Sequence, residues 1–139
     1  MNSFRSFLFL QNMEKGYFKG ETSERGMGFV LSLGALLIFA FMGIGVDGDQ
    51  FLQSQDKDVL IPQWYFYLIF LLDFLILLSV VLIFFYRKIG VYLFPIATAL
   101  HFFFHLYFLD TFLYSDVTSM FMFVGIGLLA FIPKWQFFK

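Results

Sequence analysis

Only two histidines occur in the 139-residue chain, and they lie four residues apart, at His101 and His105. The stretch that holds them, ALHFFFHLYFLD, is otherwise almost entirely apolar. An imidazole takes up and releases a proton near neutral pH, and two imidazoles one helical turn apart can bind one metal ion. The pair is therefore a candidate proton-transfer or ligand-binding group, and its surroundings decide what it can do.

The composition of the chain indicates a membrane protein. Hydrophobic residues make up 60% of it and charged residues only 14%, whereas soluble domains are about 45–50% apolar and about 25% charged. There is no Cys, which excludes disulfides, thiol catalysis and Cys-ligated metals. The net charge is −1 and no basic stripe is present, so nucleic-acid binding is not expected.

Four apolar stretches are predicted to be transmembrane helices, because each approaches or exceeds the ~20 residues that cross a hydrocarbon core. Backbone groups in lipid must form hydrogen bonds within their own segment, which favours helices. The predicted spans are about 27–46, 64–86, 89–109 and 114–132. We therefore expect an all-α membrane protein in which residues 27–139 form four antiparallel helices. Residues 1–26 are predicted to be a cytoplasmic or interfacial segment.

The distribution of basic residues predicts the orientation. Eight of them lie on one side of the predicted spans: Arg5, Lys15, Lys19, Arg25, Arg87, Lys88, Lys134 and Lys139. The other side has one, in a loop that also holds four acidic residues: Lys57 with Asp47, Asp49, Asp56 and Asp58. The positive-inside rule then places both termini in the cytoplasm of a multi-pass cell-membrane protein. In a bacterium this is the inner membrane.

An acidic residue in the second span is predicted to meet a histidine in the third. Asp73 lies nine residues after Trp64, and His101 lies nine residues before Asp110. At 1.5 Å per residue, both lie roughly 13 Å below the outer boundary of the membrane. Ionisable residues in a span need a partner or a cavity. Because the two spans are joined by a short turn, we expect Asp73 and His101 to touch.

The third span also carries Thr98 and His105 on the same helical face as His101, and Asp110 lies at its outer end. Two interpretations of this intramembrane polar cluster remain open. One is a hydrogen-bonded pair, Asp73 with His101, that fixes which helices pack together. The other is a proton or ion relay that opens outward through His105. The inner half of the spans offers no carboxylate or base, so a full path is not visible in one chain.

A metal or haem site is a third possibility, with His101, His105 and Asp73 as ligands. Two histidines and no Cys are too few for the membrane di-iron enzymes, and one helix cannot place two histidines on opposite sides of a haem. We therefore predict no metal and no cofactor. The acidic outer loop lacks the spacing of a calcium-binding loop and is predicted to be a solvated surface.

Small residues in the first and fourth spans are candidate helix-packing positions: Gly28, Ser32, Ala35 and Gly125. Small residues let helix backbones approach closely, either within the chain or between subunits. The expected partners are the lipid bilayer and other membrane subunits or copies of this chain.

No catalytic set is visible, so the chain is not expected to be an enzyme. The sequence favours a non-enzymatic accessory or scaffold subunit of a larger or homo-oligomeric membrane complex. The alternative is a small proton-sensitive channel or transporter that uses Asp73, His101 and His105. Small multidrug transporters need an acidic residue in the first span, and the predicted first span has none.

Overall fold

The computed structural model describes residues 24–56, 61–109 and 114–139, with the side chains of 24–55, 61–109 and 120–139. Within these ranges it holds four α-helices, followed by a short 3₁₀ turn. They are α1 (Met27–Asp56), α2 (Gln63–Phe84), α3 (Lys88–Leu109), α4 (Tyr114–Phe131) and the turn Trp135–Phe137. Most of the predicted segment 1–26 lies outside the described residues.

Three of these helices, α1, α2 and α3, are long and apolar enough to cross a membrane. The apolar stretch described in α4 is shorter, Met120–Phe131. The prediction of a helical protein with membrane-spanning segments is confirmed to this extent. The helices form because the chain offers long apolar runs whose backbone groups can bond only to one another in lipid.

The end of the first helix differs from the predicted end of the first span. The predicted span stops at Val46, where the first acidic residues appear, but α1 has 30 residues and continues to Asp56. No proline occurs between Val46 and Pro62 to stop it. Acidic residues can end a membrane span without ending a helix. The residues after Val46, which were predicted to form a solvated loop, are helical as far as Asp56.

A tight turn joins α2 to α3 and brings them close together. Tyr86 has a positive φ of 57°, and the amide of Arg87 donates a hydrogen bond of 2.9 Å to the carbonyl of Leu82. Gly90 then packs directly on α2, where a Cβ atom would lie 2.8 Å from the carbonyl oxygen of Ser79. A larger residue does not fit between these two backbones, so the close approach of α2 and α3 depends on glycine here.

The last residues of the chain return to this turn. The amide of Lys139 donates to the carbonyl of Tyr86 and the amide of Lys88 donates to the carbonyl of Lys139, each at 2.8 Å. The ring of Tyr86 stacks on Phe29 of α1 at 5.3 Å. It also meets Phe138 edge-on, at a centroid distance of 5.4 Å. The α2–α3 turn therefore holds α1 and the segment that follows α4.

Two basic side chains bind backbone carbonyls at the same end. The Nε of Arg25 donates to the carbonyl of Phe84 at 3.0 Å, with the guanidinium 4.4 Å from the Phe84 ring centroid. The Nζ of Lys134 donates to the carbonyl of Glu24 at 3.1 Å. We call this part of the molecule the basic end, after its charged residues: Arg25, Arg87, Lys88, Lys134 and Lys139.

An apolar core lies next to the basic end and receives side chains from all four helices. Its fully buried members include Leu36 of α1, Ile83 of α2, Phe94 of α3 and Ala130 of α4. Such a core excludes water and packs at close to crystal density. It positions the three long helices so that the segments beyond it converge on one polar site.

Candidate functional site

In the described part of the chain, four ionisable residues from three helices meet beyond the apolar core. Asp47 comes from α1, Asp73 from α2, and His101 and His105 from α3. We call them the polar cluster. The carboxylates are the more deeply placed groups, since the side chains of Asp47 and Asp73 are 4% and 7% exposed. The side chains of His101 and His105 are 21% and 13% exposed.

His101 lies between the two carboxylates. Its Nε2 is 2.9 Å from Oδ2 of Asp47 and 3.2 Å from Oδ1 of Asp73. His105 lies one helical turn further along, with Nδ1 3.8 Å from Oδ1 of Asp47. The two imidazole rings are nearly parallel, with an interplanar angle of 16° and centroids 6.0 Å apart. The spacing of four residues therefore aims both imidazoles at α1.

The hydrogen-bonding capacity of the polar cluster is incompletely used. A single proton on Nε2 of His101 faces two acceptors, and the contact with Asp47 meets hydrogen-bond geometry. Oδ2 of Asp73 is buried with no hydrogen-bond partner among the described residues. If both carboxylates are ionised, one imidazolium neutralises only one of their two negative charges. Such an imbalance is costly away from water.

Apolar side chains close the polar cluster off on both sides along the bundle. The apolar core lies towards the basic end, with Ile76 and Ala97 as its nearest buried members in sequence. On the other side, Tyr65, Phe66 and Ile69 form a second buried cluster. Phe108 of α3 packs on that second cluster, 4.8 Å from the Tyr65 ring. The polar cluster is thus a polar layer between two apolar layers.

The structure brings some of the predicted site residues together. Asp73 and His101 are in contact, as their equal depth predicted, and His105 joins them through Asp47. Thr98 is buried on the same face of α3, one turn before His101, and its hydroxyl has no hydrogen-bond partner among the described residues. Asp110 lies outside the described residues.

Asp47 is the member of the polar cluster that the sequence interpretation missed. Its assignment to a solvated acidic loop was wrong, since the residue is 3% exposed and contacts both histidines. One signal could have found it, since no proline occurs between Val46 and Pro62 to stop the helix, although Asp47-Gly48 is itself a pair typical of turns. Asp49, two residues later, is exposed and accepts a hydrogen bond from Gln53 at 2.7 Å.

The predicted packing residues do not all face other helices of the chain. Ser32 and Ala35 are half-buried, while a Cβ atom at Gly28 or Gly125 would meet nothing within 4 Å. Besides Gly90, the tight glycine contact is at Gly127, where a Cβ would lie 3.1 Å from the ring of Phe94. Gly28 and Gly125 thus do not mediate close helix contacts within the described part of the chain.

Replacing His101 by Leu should destabilise the protein, because Asp47 and Asp73 would then face each other without a cation between them. We expect the free energy of unfolding to fall by about 3 kcal/mol, as for other buried ion pairs that lose one partner. Thermal unfolding in detergent measures the change. Phe103→Leu, at an exposed position on the same helix, is the control.

A compensating variant tests the electrostatic origin of that loss. His101→Leu combined with Asp47→Asn and Asp73→Asn removes both carboxylate charges, so part of the lost stability should return. Equal stability of His101→Leu and Phe103→Leu would contradict a cluster held by charge.

The chain matches no protein-family model, no curated protein and no solved structure. The polar cluster, the two apolar layers around it and the exposed helix faces are therefore the basis on which a function is proposed.

Proposed function

We propose that the protein is a non-enzymatic integral membrane subunit that works as an accessory or scaffold component of a larger or homo-oligomeric complex. Its polar cluster fixes the mutual packing of α1, α2 and α3, and its exposed faces meet other membrane helices. Interhelical polar contacts in membranes contribute modest energy, about 0.6 kcal/mol on average, but they select which helices pack together.

The apolar core below the polar cluster is the observation that carries this proposal. Between the cluster and the basic end, the described interior is filled by apolar side chains from all four helices. The polar exceptions there are small: Ser79, which donates back to the carbonyl of Ile76 at 2.6 Å, and Thr98. Among the described residues, a packed core of this kind leaves no room for a substrate or a hydrated path between the polar cluster and the basic end.

The exposed face of α1 supports a role in assembly. Gly34, Ile38, Phe41 and Gly45 fall at i, i+4, i+7 and i+11, so they share one face, which lies opposite the buried face that includes Leu36. A Cβ atom at Gly34 or Gly45 would meet nothing within 4 Å. Glycines with bulky neighbours on an exposed transmembrane face suit close contact with a helix of another subunit.

Bulk added to this face should weaken assembly without harming the single chain. Gly45→Leu is expected to reduce self-association or partner binding at least tenfold, because the added side chain prevents close backbone approach. Native mass spectrometry after mild-detergent extraction from the source cells measures the complex. Ala99→Leu, on an exposed part of α3, adds similar bulk elsewhere. If the wild type is a monomer under these conditions, the accessory role is wrong.

The basic end is proposed to face the cytoplasm, which places both termini of the chain there. Its five Lys and Arg residues gather around the α2–α3 turn, and the positive-inside rule assigns such a group to the cytoplasmic side. The polar cluster then lies in the outer half of the membrane. In a bacterium, the membrane would be the inner one.

Cysteine labelling tests this orientation cleanly, because the chain has no native Cys. A membrane-impermeant thiol reagent added outside intact cells should label Gln53→Cys. It should label Gln136→Cys, at the basic end, only after the membrane is permeabilised. Both native side chains are exposed, so access through the protein does not limit either reaction. The reverse labelling pattern would place the basic end outside.

A proton-sensitive channel or transporter is the second candidate function, and the composition of the polar cluster favours it. A structural pair needs one carboxylate, yet two converge on His101. Small multidrug transporters were set aside because the predicted first span has no acidic residue. That reason no longer holds, since α1 carries a buried acidic residue, Asp47. A second subunit could complete a path that one chain does not provide.

Flux measurements separate this candidate from the scaffold. In proteoliposomes, a transporter should carry a pH-gradient-driven flux that Asp73→Asn lowers at least tenfold, since the variant removes a proton-binding carboxylate. Asp49→Asn, which changes an exposed carboxylate outside the polar cluster, is the control. Wild-type flux no higher than that of protein-free liposomes would eliminate the transporter.

A further inference from the structure

The polar cluster has the charge and donor composition of a metal site. Asp47, Asp73 and His101 each offer one ligand atom, and these three atoms lie within 4.8 Å of one another. His105 adds a second imidazole at the edge, through its contact with Asp47. Two carboxylates and one or two neutral imidazoles form a common ligand set for divalent transition metals.

A proton on His101 satisfies this arrangement poorly. Nε2 can carry only one hydrogen, but it faces carboxylate oxygens of Asp47 and Asp73 at 2.9 and 3.2 Å. The second carboxylate oxygen of Asp73 is buried without a hydrogen-bond partner in the described part of the chain. That oxygen supplies a second, independent sign of a missing ligand, because buried carboxylate oxygens are normally bonded.

We propose that Asp47, Asp73 and His101 bind one divalent transition-metal ion, with Zn²⁺ as the best match. The ion takes the place of the proton between His101 and the carboxylates. With neutral imidazoles, its two positive charges cancel the two carboxylate charges, which removes the charge imbalance of the polar cluster. The His101 proton leaves to solvent when Nε2 becomes a ligand.

The spacing of the donor atoms fits such an ion. Ligands about 2.1 Å from a tetrahedral zinc ion are about 3.4 Å apart, and the distances from Nε2 of His101 to the carboxylates are 2.9 and 3.2 Å. Nδ1 of His105 is 3.8 Å from Asp47. Asp47, Asp73 and His101 would supply three ligands, and the fourth position of a tetrahedral zinc ion would stay open for water, as in other zinc sites with three protein ligands.

The ligand chemistry selects against the common hard cations. Mg²⁺ and Ca²⁺ prefer six or more oxygen ligands, whereas imidazole nitrogen suits zinc and its neighbours in the first transition series.

This site is independent of the proposed scaffold role. Metal binding is read on the purified chain, whereas assembly is read from the mass of the complex in its own cells. Zinc binding by a monomer would support the site and contradict the scaffold. Assembly without zinc binding would do the reverse.

Zinc titration of the purified full chain tests the proposal. The protein carries an affinity tag without histidine and is stripped of metal, and binding is followed by calorimetry and by elemental analysis after dialysis. We expect one Zn²⁺ per chain, with no displacement by a hundredfold excess of Mg²⁺. Asp47→Asn and Asp73→Asn should each weaken binding at least tenfold. Asp49→Asn, which lies two residues from Asp47 but outside the polar cluster, should bind like the wild type.

A second readout needs no variant and covers the case in which a substituted protein fails to fold. Co²⁺ replaces zinc in the wild type, and a four-coordinate site gives much stronger visible absorption than the octahedral aqueous ion. Zn²⁺ should abolish this spectrum by competition and should raise the melting temperature of the wild-type protein. The proposal is overturned if zinc does not bind, if the cobalt spectrum is that of the aqueous ion, or if well-folded Asp47→Asn and Asp73→Asn variants bind as the wild type does.

Discussion

The relative arrangement of the three long helices depends on one requirement: the ionisable side chains inside the apolar part of the molecule must stay in contact with one another. Asp47 and Asp73 approach from two different helices, and a carboxylate away from water needs either a cation nearby or a bound proton. His101 is the group that both of them reach. Three helices must therefore keep their relative rotation and height, because turning any one of them would remove a carboxylate or the imidazole from the contact.

The layers on either side follow from the same constraint. Aromatic residues around Tyr65 and aliphatic residues around Leu36 keep water away from the polar cluster. Exclusion of water strengthens the attraction between the charges, and it also raises the cost of leaving any of them unpaired. The polar cluster thus determines which helices pack together. It is also the site at which a proton and the proposed metal ion would compete for the same carboxylate and imidazole atoms.

The long helices and one contact of the polar cluster were predictable from the composition and spacing of the sequence. Long apolar runs are enough to predict α2 and α3 to within a few residues, and equal distances from the helix ends predict that Asp73 meets His101. Asp47 was not predictable by the same counting. Counting depth from Met27 assumes an upright helix that ends at the membrane surface. With 30 residues, α1 is longer than the ~20 needed to cross, so the position of Asp47 in the sequence does not by itself give its depth.

The glycines in the helices also show what cannot be predicted from the sequence. Sequence alone indicates where small residues allow close approach, but it does not say which helix fills the space. Gly90 is held against α2, whereas Gly28 and Gly125 face open space in the single chain. The difference comes from the tight α2–α3 turn, whose positive-φ residue Tyr86 sets the height at which Gly90 meets Ser79.

The return of the last residues to Tyr86 has a mechanical consequence. The helices are fastened to one another at the basic end by backbone hydrogen bonds and stacked rings. Further along the bundle they are joined by the carboxylates and imidazoles of the polar cluster, and beyond it by the aromatic contacts around Tyr65. A change in proton or ion occupancy therefore acts on a single layer of the bundle, while the apolar contacts on both sides of that layer keep the helices in register.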